Sequence, residues 1–149
     1  MNIKIVATNK KAFHNFYIGD TFEAGIALLG SEIKSIRDGR VSLGDAYVKP
    51  ERGELWLVNA HIARYEASSY MGHDPTRPRK LLMHRKEILN LTGKTGEKGL
   101  TLVATKMYLK AGKAKVEIAL AKGKKLYDKR EAIERRETDR VVARAMKNR

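Results

Sequence analysis

Four histidines, His14, His61, His73 and His84, are the residues of this chain best suited to proton transfer or metal ligation, and no two of them stand at a paired ligand spacing. There is no cysteine, hence no thiolate nucleophile, disulfide or thiolate metal site. Neither a GxSxG elbow nor a GxxxxGK(S/T) phosphate loop occurs. The acids are mostly single and scattered among basic neighbours, so no carboxylate cluster suited to two-metal phosphodiester cleavage is visible. The expectation is a protein without catalytic residues, cofactor or metal. His14 stands apart, because it lies among Lys10, Lys11, Phe13, Phe16 and Tyr17. Rings interleaved with cations can stack unpaired bases while the cations hold phosphates. Phe13 and Phe16 are nevertheless expected in the core.

The charge points to the same partner class. The 149 residues carry a net charge of +14. Lys122 to Arg149 hold eleven of the 31 Lys and Arg with five acids and no sustained apolar stripe. Such a segment buries too little apolar surface to offset its ordering entropy, and a cationic one favours a polyanion. The remainder is also basic, and a phosphate backbone attracts such a surface at long range. The apolar runs fall far short of the ~20 residues that cross a bilayer, and no amphipathic face for a membrane surface is evident. The reading is one domain, residues 1–121, and a basic tail, residues 122–149, in a soluble cytoplasmic protein.

These groups need elements to hold them. Phe22, Ile26, Leu29, Ile33 and Ile36 recur at helical spacing, which predicts one amphipathic helix. Asp20 and Glu23 resemble a capping box at its start, and Asp38-Gly39 offers a stop. Gly25 and Gly30 are expected to permit close approach of another backbone. Tyr47-Val48 and Leu55–Val58 flank Pro50-Glu51-Arg52-Gly53, while Leu100–Lys110 is joined to Lys115–Leu120 through Ala111-Gly112-Lys113. Both pairs read as hairpins. In the second, Val116, Ile118 and Leu120 alternate with Lys115, Glu117 and Ala119, leaving Lys115 on the wet face. Between the hairpins, a Pro-marked loop at His73–Pro78 leads to a short helix with Leu81, Leu82, Ile88 and Leu89 on one side. With Ile3, Ile5 and Ala7 alternating at the start, the tally is about six strands. The fold class is mainly β: a small closed antiparallel oligonucleotide-binding (OB-like) barrel with about three flanking helices and a tail disordered until bound.

Four stretches carry a resemblance. They are NKKAFHNFYIGDTFEAG from Asn9, IRDGRVSLGDAYV from Ile36, DPTRPRKLLMHRKEI from Asp74 and AKGKKLYDKRE from Ala121. In this order they closely resemble the bacterial SsrA-binding protein family, also called small protein B. The resemblance implies an oligonucleotide-binding barrel that binds the tRNA-like domain of transfer-messenger RNA and delivers it to ribosomes stalled on messages without a stop codon. Its RNA-contacting positions match Asn9, Lys10, Glu23, Leu82 and Lys115, to which the ring-and-cation argument adds His14. Lys10 and Lys115 suit phosphates, and Asn9 offers a donor and an acceptor to a base edge or ribose. Glu23 either accepts hydrogen bonds from base amino groups or 2′-hydroxyls, or completes the capping box. Leu82 either contacts RNA or packs to position its loop.

In the tail the resemblance places Gly123, Lys124 and Lys125 at the barrel exit, then Tyr127, Asp128, Lys129 and Arg130 at the start of an inducible helix. Asp128 and Glu131 can cap it, and Glu131 with Arg135 forms an i,i+4 pair worth about 0.2–0.5 kcal/mol. Small-subunit rRNA lining an empty message channel at the decoding centre would then neutralise Arg135, Arg136, Arg140, Arg144 and Lys147. Tyr127 departs from the histidine many relatives carry, which keeps stacking and loses a protonated imidazole. Elongation factor Tu and alanyl-tRNA synthetase are implied partners through the RNA. The alternative from another class is a structural ribosomal or ribosome-assembly protein whose basic tail threads through rRNA.

Overall fold

A computed structural model describes residues 3–64 and 73–124. In chain order the elements are β1 (Ile3–Thr8), α1 (Lys10–Asn15), β2 (Phe16–Ile26), α2 (Gly30–Arg37), β3 (Val41–Ser42) and β4 (Tyr47–Glu51), then β5 (Glu54–Val58), β6 (His61–Ile62), β7 (Arg79–Leu82), α3 (Arg85–Lys98), β8 (Thr101–Lys110) and β9 (Lys113–Gly123). All pairings are antiparallel, in the order β1-β8-β4-β5-β7-β2-β9, and a further β8–β9 pairing closes six of these strands into a ring. The short β3 and β6 pair separately.

Both expected hairpins form, and their turns explain why. Arg52-Gly53 and Ala111-Gly112 have φ of 53°, 76°, 51° and 77°. Two successive left-handed residues twist the chain to match the flanking strands, and glycine takes the second position without a Cβ penalty. Val116, Ile118 and Leu120 point into the core as expected, with Leu55, Leu57, Leu81, Leu102 and Met107. Ala119, placed on the wet face by alternation, is buried instead. It joins Ala12, Val103 and Ala121 in a second cluster, against which Phe16 and Ile18 pack. Strand β9 begins at Lys113, two residues earlier than expected.

The single helix expected from Asp20 is replaced by two elements. Residues 16–26 form β2 and the helix starts at Gly30. Phe22 and Ile26 lie four apart, a spacing that satisfies a helical face and a strand face equally. Phe22, Ala24 and Ile26 turn inward while Thr21 and Glu23 are exposed. Asp20 and Glu23 therefore cap nothing. The carboxylate closing the true N-terminus belongs to Glu32, which accepts from the Leu29 N–H at 2.8 Å. The stop falls as expected, with Asp38 as C-cap and Gly39 at φ 74°. Gly25 does allow a close approach: a Cβ there would sit 3.2 Å from the Leu82 Cβ. Gly30 faces open space instead.

Leu81 and Leu82 belong to β7, not to the helix that follows. They alternate, Leu81 being fully buried and Leu82 51% exposed. In α3 the buried residues are Ile88 and Leu91, while Leu89 faces out. The nine strands among the described residues, two of them only two residues long, exceed the expected six.

A buried ionic knot sets β7 in register. Glu32, with no exposed side-chain area, receives Arg79 Nε at 2.7 Å and both Nε and Nη2 of Arg77. Arg79 also donates to the carbonyls of Ala60, at 2.8 Å, and Pro75, at 3.0 Å. Beside it, His73 bridges Ser31 Oγ and the Ile62 carbonyl, each at 2.8 Å. One carboxylate thus caps α2 and ties the His73–Pro78 loop to it.

Candidate nucleic-acid interface

Leu82 ends β7 opposite Gly25 of β2, and Gly25 stands opposite Lys115 of β9. With Glu23, His84 and Glu87, these residues line a surface depression of about 340 Å³. Three sequence-predicted residues from three strands, Glu23, Leu82 and Lys115, thereby meet on one rim. Leu82 is half exposed on this rim. The absent side chain of Gly25 lets it sit close against β2.

Glu23 is the most constrained group on this surface. Its Oε1 accepts from the Tyr108 hydroxyl at 2.5 Å, and Lys110 Nζ reaches both carboxylate oxygens at 3.3 and 3.4 Å. The Tyr108 hydroxyl, helped by Lys110 and by the nearby charge of Lys115, holds the Glu23 carboxyl below its ordinary value despite some burial. Tyr108 is pushed well upward, by burial first and then by the Glu23 carboxylate, so its hydroxyl keeps its proton. Lys106 lies 5.9 Å from the centre of its ring. Glu117, the cross-strand neighbour of Glu23, accepts a hydrogen bond from the Thr105 hydroxyl at 2.6 Å. Neither Tyr108 nor Lys110 was singled out from the sequence. The signal was present in the hairpin register, since the Ala111-Gly112 turn puts Tyr108 opposite Lys115 and Lys110 opposite Lys113.

The remaining predicted residues gather at the α1 corner. Asn9 is 2% exposed and caps α1, its Oδ1 accepting from the Ala12 N–H at 3.0 Å while its Nδ2 donates to the Ala104 carbonyl at 2.8 Å. Expected to present a donor and an acceptor to RNA, its amide bonds inside the protein. Lys10 and His14 project from the helix it starts, and both are exposed. Phe13, expected in the core, is 48% exposed, and Tyr17 is 51% exposed. Phe16 is the ring that packs inward. Gly123 pairs with Phe16 at the end of β9, and Lys124 Nζ stands 3.4 Å from the Phe13 carbonyl oxygen and 5.1 Å from the Tyr17 ring centre. The root of the basic tail therefore lies against α1. Lys125, Tyr127, Asp128, Lys129, Arg130, Arg135, Arg136, Arg140, Arg144 and Lys147 lie outside the described residues.

The surface combines exposed apolar and aromatic groups with cations at two places, a set that suits a phosphate-bearing, base-bearing ligand. Among the described residues, no helix is long and apolar enough to cross a membrane.

The SmpB protein family model matches residues 6–148. An SsrA-binding protein of Dehalococcoides mccartyi is 60% identical over 144 residues, covering 97% of this chain and 84% of its own. One from Carboxydothermus hydrogenoformans is 55% identical over 146 residues, covering 98% of both chains. A solved chain described as "tmRNA-SmpB: a journey to the center of the bacterial ribosome" superposes with a TM-score of 0.67 at 49% identity, covering 78% of this chain and 82% of that one.

Proposed function

Because the chain belongs to the SmpB family, we infer that it binds the tRNA-like domain of transfer-messenger RNA and carries it to ribosomes stalled on messages without a stop codon. The observation that carries this reading is the meeting of Glu23, Leu82 and Lys115 on one rim, since no two of them share a strand. The closed ring of strands is read as an oligonucleotide-binding barrel, whose outer surface offers lysines for phosphates and a carboxylate for base or ribose donors. Asn9 serves this surface indirectly: by capping α1 it presents Lys10 and His14. No covalent chemistry is assigned to the protein. Peptidyl transfer belongs to the ribosome, and aminoacylation and delivery act through the RNA, in the cytoplasm.

The basic tail is assigned to the decoding centre. Gly123 and Lys124 leave the barrel beside α1, and Lys125, Tyr127, Asp128, Lys129 and Arg130 follow, then Arg135, Arg136, Arg140, Arg144 and Lys147 for the rRNA of an empty message channel. Folding of this segment on rRNA would couple acceptance of the complex to absence of a message. The test is truncation after Gly123 in a reconstituted reaction on a message lacking a stop codon, scoring RNA gel shift and tag addition together. RNA binding is expected to persist and tagging to disappear. Wild-type tagging by the truncated protein, or parallel loss of both signals, would overturn the division of labour.

A further inference from the structure

We propose that Tyr108 is the positioning residue of the RNA-binding surface: its buried hydroxyl fixes the Glu23 carboxylate in one orientation and leaves the second oxygen, Oε2, to accept from a base amino group or a ribose hydroxyl. The inference rests on the reading of Glu23 as an RNA contact. It adds a residue that neither the motifs nor the resemblance selected.

Geometry separates the two partners of Glu23. Tyr108 is 7% exposed and stands two residues before the end of β8, so its ring has little freedom and its hydroxyl stays 2.5 Å from Oε1. Lys110 is more open, with its side chain 31% exposed, and reaches the carboxylate at 3.3 and 3.4 Å on a flexible stem. When a phosphate arrives, Lys110 can turn to it at low cost. Tyr108 cannot follow. The carboxylate then keeps its rotamer through Oε1, and Oε2 loses its lysine and becomes the free acceptor.

A carboxylate beside phosphates needs this arrangement. Unrestrained, it would swing and take a proton as anionic charge accumulated near it. A donor that carries no charge counters both tendencies without adding a cation that would bind phosphate indiscriminately. The other charged and titratable groups around Glu23 are Lys115 and Glu117 of β9 and His84 and Glu87 at the start of α3, while Lys106 of β8 lies over the Tyr108 ring and pairs with Glu117. Among the described residues, only Tyr108 and Lys110 donate side-chain hydrogen bonds to Glu23.

The experiment is a double-mutant cycle on the full chain with a transcript of the tRNA-like domain, using Glu23→Gln, Tyr108→Phe and the double variant. A carbon-13 titration of the Glu23 carboxyl in RNA-free protein accompanies it. Each single variant is expected to bind roughly tenfold more weakly, and the double variant no more weakly than Glu23→Gln alone. In Tyr108→Phe the Glu23 midpoint should rise. Tyr108→Phe binding like wild type while Glu23→Gln is impaired would overturn the positioning role and leave the RNA reading standing, as would losses that multiply in the double variant. Unimpaired binding by Glu23→Gln would overturn the RNA reading of this surface itself. Should Tyr108→Phe fold poorly, Lys110→Ala decides: RNA binding should weaken by no more than the loss of about one phosphate contact, and a loss as large as that of Glu23→Gln would assign the positioning role to the lysine.

Discussion

Glu32 and Glu23 are carboxylates with the same electrostatic bias and opposite surroundings. Both lie below the ordinary value of 4.5. Glu32 does so although burial pushes it upward, because Arg77, the Leu29 N–H and Arg79 together outweigh desolvation. Its side chain reaches no solvent, and both oxygens bond to groups that hold α2 and β7. The Glu23 side chain is 39% exposed, and a hydroxyl and a flexible lysine are its partners. Enclosure converts a bound carboxylate into scaffold; exposure with one oxygen fixed leaves it usable by a ligand.

The sharpest way to break this comparison is to neutralise the buried partner. Glu32→Gln should cost about 3–5 kcal/mol, since Arg79 would remain buried without its counter-charge. Urea unfolding measures it. A loss below about 1 kcal/mol would mean that the carbonyls of Ala60 and Pro75 suffice for Arg79. Acid extends the test. With its folded-state value depressed, Glu32 contributes its stability in full above about pH 5 and loses it as pH falls through the folded-state value, because the unfolded chain takes the proton first. Wild-type urea midpoints should therefore fall steadily on acidification below about pH 5, and Glu32→Gln should show a much flatter dependence.

Glu23→Gln should behave in the opposite sense. Its stability change should stay within about 1 kcal/mol, as expected of a solvent-screened pair, while RNA affinity falls. A large drop in melting temperature with unchanged RNA binding would return Glu23 to the scaffold. Gly25→Ala refines the same point. The added Cβ would press on the Leu82 Cβ at 3.2 Å, which moves only with the paired β7 backbone, so stability should fall by about 1–3 kcal/mol. Binding should suffer more than melting if the position of Leu82 matters.

The sequence made the hairpins legible because turn chemistry is local. Arg52-Gly53 and Ala111-Gly112 carry their own backbone preference, and the alternation of Val116, Ile118 and Leu120 needs no distant partner. At residues 20–26 the pattern is ambiguous, because Phe22 and Ile26 satisfy two periods at once. The choice between them is made by pairing with β9 and β7, which lies ninety and sixty residues away along the chain, roughly. Leu81 and Leu82 illustrate the same point, since their strand is imposed by β5 and β2. Of the site, Glu23, Leu82 and Lys115 came from motif resemblance, whereas Tyr108 and Lys110 depended on register across the second hairpin. The ionic knot was illegible, since nothing local links Glu32 to Arg79.

The smallest expected effect tests whether the two surface regions grip one RNA. Lys10 stands at the α1 corner and Lys115 on the rim of the depression, and each is expected to hold about one phosphate. Lys10→Ala and Lys115→Ala should each weaken binding modestly and reduce the slope of log affinity against log salt by about one. Their own contacts argue against a fold defect, since Lys10 is exposed on the first turn of α1 and Lys115 is half-buried on the rim. The informative quantity is the double variant. If both regions contact the same RNA molecule in one complex, the slopes subtract and the double variant loses about two. If the α1 corner serves another partner, such as rRNA reached beside the tail root at Lys124, Lys10→Ala leaves the slope for the tRNA-like domain at its wild-type value. Binding to that RNA would then belong to the Glu23, Leu82 and Lys115 surface, and the corner to the ribosome.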